Sequence, residues 1–503
     1  SGVLIVAGGN PALALINTSD LIAAALNDGW NIRIFLFCAL LGGLVGMLSR
    51  TGASHSLGIW ASRHLKTRQS SQLMAWFFGL VIFIDDYFNS LTVGTIMRPI
   101  TDKQKVSRAK LAYILDSTAA PVCIIAPISS WVVTVMSVVK GSEGFSALGI
   151  SEFEFFIRSI PYNFYALLTL AMVVTIAVTK RDFGPMAASE RRAFEEGKLW
   201  NAEKYGAATG DIAHVENGRA RPIDMLFPII VLIVTALVFF PLTTWLGAVD
   251  GEEILTLAQA MASIPLGSAF NDTDASVALF YSAVFTVVIT YVYYLARRLL
   301  NIKSASESLK DGIGSMVPAL IILTMAWTIG TVIKSSPADG GLGLAGYLSA
   351  LVATDGFPLW ILPGSVFLLS ALISFSTGTS WGTFTIMIPI VMPIVVALSQ
   401  INGIAGPALI NASMISIAAV LSGAVFGDHA SPISDTTILS STGAGCPHLE
   451  HVATQMPYAI FVAVCSFVGY VAGGLLLNNI VGWIAALAVF ACGMIVLPKV
   501  IKS

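Results

Sequence analysis

Apolar runs long enough to cross a bilayer recur along the whole chain, and they leave it few ways to fold. A helix needs roughly 20 apolar residues to span the hydrocarbon core. Segments 31–49, 161–179, 223–247, 274–296, 313–333, 457–477 and 480–497 meet that need. Segments 110–139 and 407–441 are longer and carry internal Pro and Gly, so each reads as a broken span. Charged residues are 11% of the chain, against roughly 25% in soluble domains, so lipid must replace water over much of the surface. The 44 glycines and 21 prolines suit closely packed, interrupted membrane helices. A net charge of −2 gives no electrostatic reason to bind nucleic acid. Cys38, Cys123, Cys446, Cys465 and Cys492 form no C-x-x-C pair and read as apolar filler. The sequence opens at Ser1 inside apolar residues, and a further preceding span is expected.

Two stretches fit a simple span badly. Segment 72–99 is apolar at both ends but holds Asp85, Asp86 and Asn89 in the middle. It is too short for two spans and too polar for one. A re-entrant hairpin fits, with its polar tip buried in protein. Segment 358–398 reads the same way, with its tip at 376–383. Basic residues favour the cytoplasmic side. The alternation of spans puts 50–71, 97–110, 180–222, 297–310 and the C-terminus on one side, and these hold 23 of the 27 Lys and Arg. That bias supports the alternation. It makes the first hairpin enter from the cytoplasm and the second from outside. Segment 180–222 then reads as a solvated cytoplasmic connector.

The pattern also repeats. Thr95-Ile96-Met97-Arg98-Pro99 returns as Thr385-Ile386-Met387-Ile388-Pro389. STAAPVCIIAPISS at 117–130 returns as SGAVFGDHASPISD at 422–435, with Pro-Ile-Ser in both. Hairpin and broken span thus occur twice in the same order, from opposite sides. The expected fold is an all-α polytopic membrane protein with inverted repeats, each with a re-entrant hairpin and a broken transmembrane helix. Its parts would be an N-terminal segment 1–71, a first repeat core 72–140, linking helices 141–357, a second core 358–445 and C-terminal helices 446–503. Repeats of this kind are a pattern of secondary transporters, with the site where the repeats meet.

A carboxylate at the bilayer centre costs at least ~2.5–3.5 kcal/mol, so buried acids are functional candidates. Asp86, Asp428 and Asp435 are the expected ion- or proton-coupling carboxylates, with His429 as a proton shuttle. A structural hydrogen bond to a broken helix end is the competing reading for each. Asp85 and Asp116 fit a helix cap equally well, and Asp272 and Asp274 suit caps near the outer boundary. Asp85, Asn89, Ser90, Thr92, Thr377, Thr379 and Ser380 at the hairpin tips are candidate oxygen donors. So are Ser129, Ser431, Ser434 and Thr436 beside the two Pro-Ile-Ser breaks. Pro432 removes a backbone donor and frees carbonyls, which could join these oxygens around Na+. A carboxylate that takes either a proton or Na+ is the simplest basis for antiport. Trp131 and Trp381 read as packing residues.

The stretches FIDDYFNSLTVGTIMRPITD, KLAYILDSTAAPVCIIAPISSW and GAVFGDHASPISDTT resemble the NhaC family of Na+/H+ antiporters. More remotely, the paired hairpins resemble the ion transporter superfamily. That resemblance implies Na+ sites at the hairpin tips, here Asn89, Ser90, Thr379 and Ser380, with Asp435. It also implies an elevator-type homodimer in a bacterial inner membrane, with a scaffold and a moving domain. The tips depart from the superfamily's Ser-Asn-Thr triplet. Three functions are open to such a chain. Na+/H+ antiport is the first, with Na+ as the transported ion and no other cofactor. Na+- or H+-coupled transport of a small organic solute, an amino acid or carboxylate, is the second. A membrane enzyme or channel is the third, and the absence of H-E-x-x-H counts against the enzyme.

Overall fold

The computed structural model describes residues 9–206, 217–249, 256–271, 273–334 and 357–500. Every regular element among them is helical. We number the helices of eight or more residues. The first half holds α1 (Pro11–Asn27), α2 (Gly29–Arg50), α3 (Ala53–His64), α4 (Arg68–Val81), α5 (Asp86–Lys103), α6 (Arg108–Thr118), α7 (Ser130–Gly141), α8 (Glu152–Ser159), α9 (Phe164–Thr179) and α10 (Gly184–Glu195). The second holds α11 (Pro222–Val249), α12 (Ala275–Ala296), α13 (Ile302–Ser315), α14 (Val317–Lys334), α15 (Leu362–Thr377), α16 (Ser380–Ile401), α17 (Pro407–Ala430), α18 (Asp435–Ala444), α19 (His448–Leu476) and α20 (Asn479–Val500). Among the described residues, eight helices are long and apolar enough to cross a membrane, and the pair α8 and α9, bent by 48°, makes a ninth if it is one span. The chain is an integral, multi-pass membrane protein.

Both expected hairpins form. In the first, α4 and α5 pack together across a turn at 82–85. The turn lies earlier than expected, because Asp85 caps α5 by accepting from Phe88 N at 3.0 Å. Asp86 to Asn89 therefore belong to the first turn of α5. In the second, Gly378 takes a left-handed φ of 69° and Thr379 caps α16. The two hairpins differ in length. The 14 residues of α4 rise only ~21 Å, short of the ~30 Å core. The arms of the second hairpin, 19 and 22 residues, are each long enough to cross. A hairpin returns the chain to the side it left in either case, so the charge-based sidedness does not depend on depth.

Both segments expected as broken spans are interrupted helices, and their breaks share one device. Ser129 ends the first Pro-Ile-Ser and caps α7 by accepting from Val132 N at 3.2 Å. Ser434 ends the second and caps α18 by accepting from Thr437 N at 3.2 Å. In each break the serine two residues after the proline satisfies an amide of the helix that follows.

Glycine sets how closely these pieces approach. Added side chains at Gly423 and Gly427 of α17 would overlap the carbonyls of Phe367 and Ala371 on α15. Gly94 of α5 and Gly443 of α18 meet backbone to backbone in the same way. Small residues at four-residue spacing allow such contact between membrane helices.

Two expectations change here. Segment 457–477 begins earlier, as α19 starts at His448 and carries Glu450, His451 and Gln455 into the interior. That polar turn is tolerated because its groups find partners. Segment 180–222 is not a free connector where it is described. Glu190 of α10 accepts from Arg68 and from Ser107 N, both at 2.7 Å. Buried Glu450 pairs with Arg192 and accepts from Asn201 N at 2.9 Å. Asp182 pairs with buried Lys110 and accepts from Tyr458 at 2.6 Å. Residues 182–201 thus lie as a strap across the ends of α4, α6 and α19.

Candidate functional site

The interior site forms where α5, α7, α17 and α18 meet. Tyr87 of the first hairpin donates to Asp435 of the second broken helix. One turn on, Ser440 donates to Ser90 at 3.2 Å. Asp86 is buried and accepts from Trp131 Nε1 at 3.0 Å. Trp131 meets Trp381 edge to face, with centroids 5.7 Å apart. The two tryptophans therefore join the first broken helix to the second hairpin. Packing was the expected role for both; the bond from Trp131 to Asp86 was not legible.

Asp428, at the end of α17, is buried and accepts from Thr436 Oγ1 at 2.7 Å. Thr436 Oγ1 also lies 2.9 Å from Ser434 Oγ. Asp435 accepts from Thr436 N at 2.9 Å and is only half-buried, which puts it toward the mouth of the site. Asp85, Asp86, Asp428 and Asp435 lie within electrostatic reach of one another in overlapping pairs. The groups acting most strongly on them are carboxylates, hydroxyls, an indole and backbone amides, with no Lys or Arg. Several like charges in one buried cluster cannot all persist without protons or bound cations.

The expected carbonyl shell is largely taken by side chains. Asn89 Nδ2 reaches the carbonyls of Gly79, Ile82 and Thr118 at 2.7, 2.9 and 3.0 Å, closing the ends of α4 and α6. Ser129 donates to Cys123 O at 2.7 Å, and Ser431 to Phe375 O at 2.8 Å. Ser380 donates to Ala424 O at 3.1 Å. Thr379 serves as a cap, Thr92 is buried on α5, and Thr377 is exposed and bonded back to Ile373 O. Asp274 caps α12 and pairs with Arg33 at 3.5 Å, the cap expected of it. Asp272 lies outside the described residues. The oxygens left over are Asp86 Oδ2, Asn89 Oδ1 and Asp428 Oδ1, which are buried and have no hydrogen-bond partner among the described residues. Hard, oxygen-only donors of this kind suit Na+.

A second polar cluster lies behind Asp428. Asp116 of α6 is fully buried and accepts from Gln455 Nε2 at 2.5 Å and from Thr437 Oγ1 at 3.1 Å. His451 Nε2 lies 3.4 Å from its carboxylate. His429 Nε2 meets Asp116 O at 3.0 Å, and its Nδ1 meets Tyr165 at 3.2 Å. His429 thus turns toward this cluster. Gln455 and His451 were missed because they precede the apolar run 457–477 from which the span was read. Their spacing of four residues, one helical face, was the available signal.

Paired hairpins and paired broken helices around a buried acid cluster define a multi-pass membrane transporter. The Na+/H+ antiporter family model matches residues 122–475, and the chain belongs to that family as a secondary transporter. It is 36% identical over 488 residues to an uncharacterised Haemophilus influenzae protein, covering 97% of this chain and 86% of that one. It is 29% identical over 234 residues to the malate-2H+/Na+-lactate antiporter of Bacillus subtilis, 44% of each chain. The Alcanivorax borkumensis YdaH transporter shares the fold, with a TM-score of 0.52, 15% identity and coverage of 95% of this chain and 90% of its own.

Proposed function

We propose that this transporter exchanges Na+ for H+, with Asp86, Asp428 and Asp435 as its ion-coupling carboxylates. One observation carries the reading: a buried cluster of acids holds unpartnered oxygens, and among the described residues no Lys or Arg pairs with Asp86, Asp428 or Asp435. Only protons or cations can balance it, and exchanging one for the other is antiport. Asp86 Oδ2, Asn89 Oδ1 and Asp428 Oδ1 would face Na+, and Asp435 with Tyr87 would guard the entry. The two opposed hairpins support alternating access by a moving unit of elevator type, within inverted repeats. The bacterial relatives support a bacterial inner membrane, and the superfamily resemblance supports a homodimer. The test is the full chain in proteoliposomes with an internal pH dye. Na+-dependent proton movement is expected, and its absence from about pH 6 to about pH 8 sinks the reading.

A second reading is Na+- or H+-coupled exchange of a small organic solute. The partial likeness to a malate-2H+/Na+-lactate antiporter favours it. The same cation site would serve, with a carboxylate or amino acid between the hairpin tips. Thermal stabilisation by organic acids or amino acids that appears only with Na+ would select this reading. Stabilisation by Na+ alone would leave the first in place.

A further inference from the structure

The acid cluster explains where a cation goes, but it leaves Asp116 and His451 without a use. Both are fully buried, and they come from different helices, α6 and α19. His451 Nε2 lies 3.4 Å from Asp116 Oδ2, while Asp116 Oδ1 and both ring nitrogens of His451 have no hydrogen-bond partner among the described residues. An ionised carboxylate beside a neutral imidazole would leave one buried negative charge uncompensated. A single proton shared between them removes it.

This pair connects to the cation-facing acids through hydroxyls. Thr437 Oγ1 donates to Asp116 at 3.1 Å, and Thr437 N is held by Ser434 Oγ at 3.2 Å. Ser434 meets Thr436 at 2.9 Å, and Thr436 meets Asp428 at 2.7 Å. We infer that the Asp116–His451 pair holds the exchanged proton, apart from the carboxylates that face Na+. The inference rests on the Na+/H+ reading and assigns the two ions to different places. Na+ arriving at the acids adds positive charge nearby in a low-dielectric interior and expels the proton from the pair to water. When Na+ leaves, the proton returns. The other titratable groups facing the pair are Tyr113 on the same helix, Asp428 and His429 from α17, Asp435 from α18, Cys446 beside His451, and Tyr165 from α9 through His429. Gln455 bonds both Asp116 and His429 O at 2.9 Å, and so fixes the pair's position.

The test is calorimetric titration of purified full-length protein with NaCl at a series of pH values. Wild type should gain Na+ affinity with rising pH, by up to about tenfold per pH unit, the limit for one linked proton. His451→Gln and Asp116→Asn keep hydrogen-bonding side chains but cannot share that proton, and either should flatten the slope to under about twofold per unit. A wild-type slope in both variants overturns the inference while the Na+/H+ reading stands. Loss of all Na+ binding in variants that remain monodisperse also overturns it, because the pair would then belong to the cation site. A wild type that binds no Na+ overturns the Na+/H+ reading itself, and this inference with it.

Discussion

Tyr87, on the first turn of the first hairpin's second arm, donates its phenol to Asp435, on the first turn of the second broken helix. Residues 348 positions apart thus share one hydrogen bond at the half-buried edge of the acid cluster. Together with the Ser440–Ser90 hydrogen bond and the Gly94–Gly443 crossing, it joins α5 to α18. Tyr87→Phe keeps the ring and removes the donor. A hydrogen bond to a charged acceptor is worth about 1.5–3 kcal/mol, so apparent Na+ affinity should change about 10- to 100-fold. Sodium titration of transport, with thermal stability as the control for folding, checks this. An unchanged affinity would remove Tyr87 from the site.

Asn89 is expected to matter first for stability. Its amide closes three backbone carbonyls at the ends of α4 and α6. Asn89→Asp keeps the shape but cannot donate, and it turns oxygens toward oxygens. Each buried carbonyl left unpaired costs about 1–3 kcal/mol. A clear loss of thermal stability is expected, larger than that of Thr377→Ala at the exposed tip of the second hairpin. Equal melting temperatures would contradict this account of Asn89.

Much of the architecture was legible because membrane helices announce themselves by length and apolarity. The two hairpins and the two Pro-Ile-Ser breaks followed from apolar runs and prolines. The polar partners did not follow. Trp131 looks like any buried tryptophan until Asp86 is found 3.0 Å from its Nε1. His451 and Gln455 sit just before the apolar run that marked the span. Only the packing of α19 against α6 shows that Gln455 donates to Asp116 and that His451 lies 3.4 Å from it. Ser431, Ser380 and Asn89 were expected to surround a cation. The structure gives each a backbone carbonyl instead, a pairing that depends on which helix ends come together and not on residue type.

The strap predicts an asymmetric pair of substitutions. Glu450 is buried and held by Arg192, which is partly exposed. Arg192→Ala leaves an unpaired buried charge, and breaking such a pair costs about 3–5 kcal/mol. Arg192→Ala should therefore lower the melting temperature more than the double substitution Arg192→Ala with Glu450→Gln. Equal effects would mean that the strap is not anchored through this pair.

The glycine crossing between α15 and α17 predicts a steric failure. A leucine at Gly427 would drive its side chain into the carbonyl of Ala371 and the side chain of Ser374. Overpacking a close crossing costs about 1–3 kcal/mol or more. Gly427→Leu should misfold or lose transport, while Gly314→Leu, whose added Cβ meets nothing, should be tolerated. Expression and monodispersity of the two variants decide between these outcomes.

The central claim is that Na+ and protons displace one another within the buried acid network. Proton release on adding NaCl to weakly buffered, purified protein measures that displacement without any transport step. The account predicts release of about one proton or more per Na+ bound near neutral pH, lost when Asp428→Asn and Asp435→Asn are combined. Na+ binding with no proton release from about pH 6 to about pH 8 would contradict it.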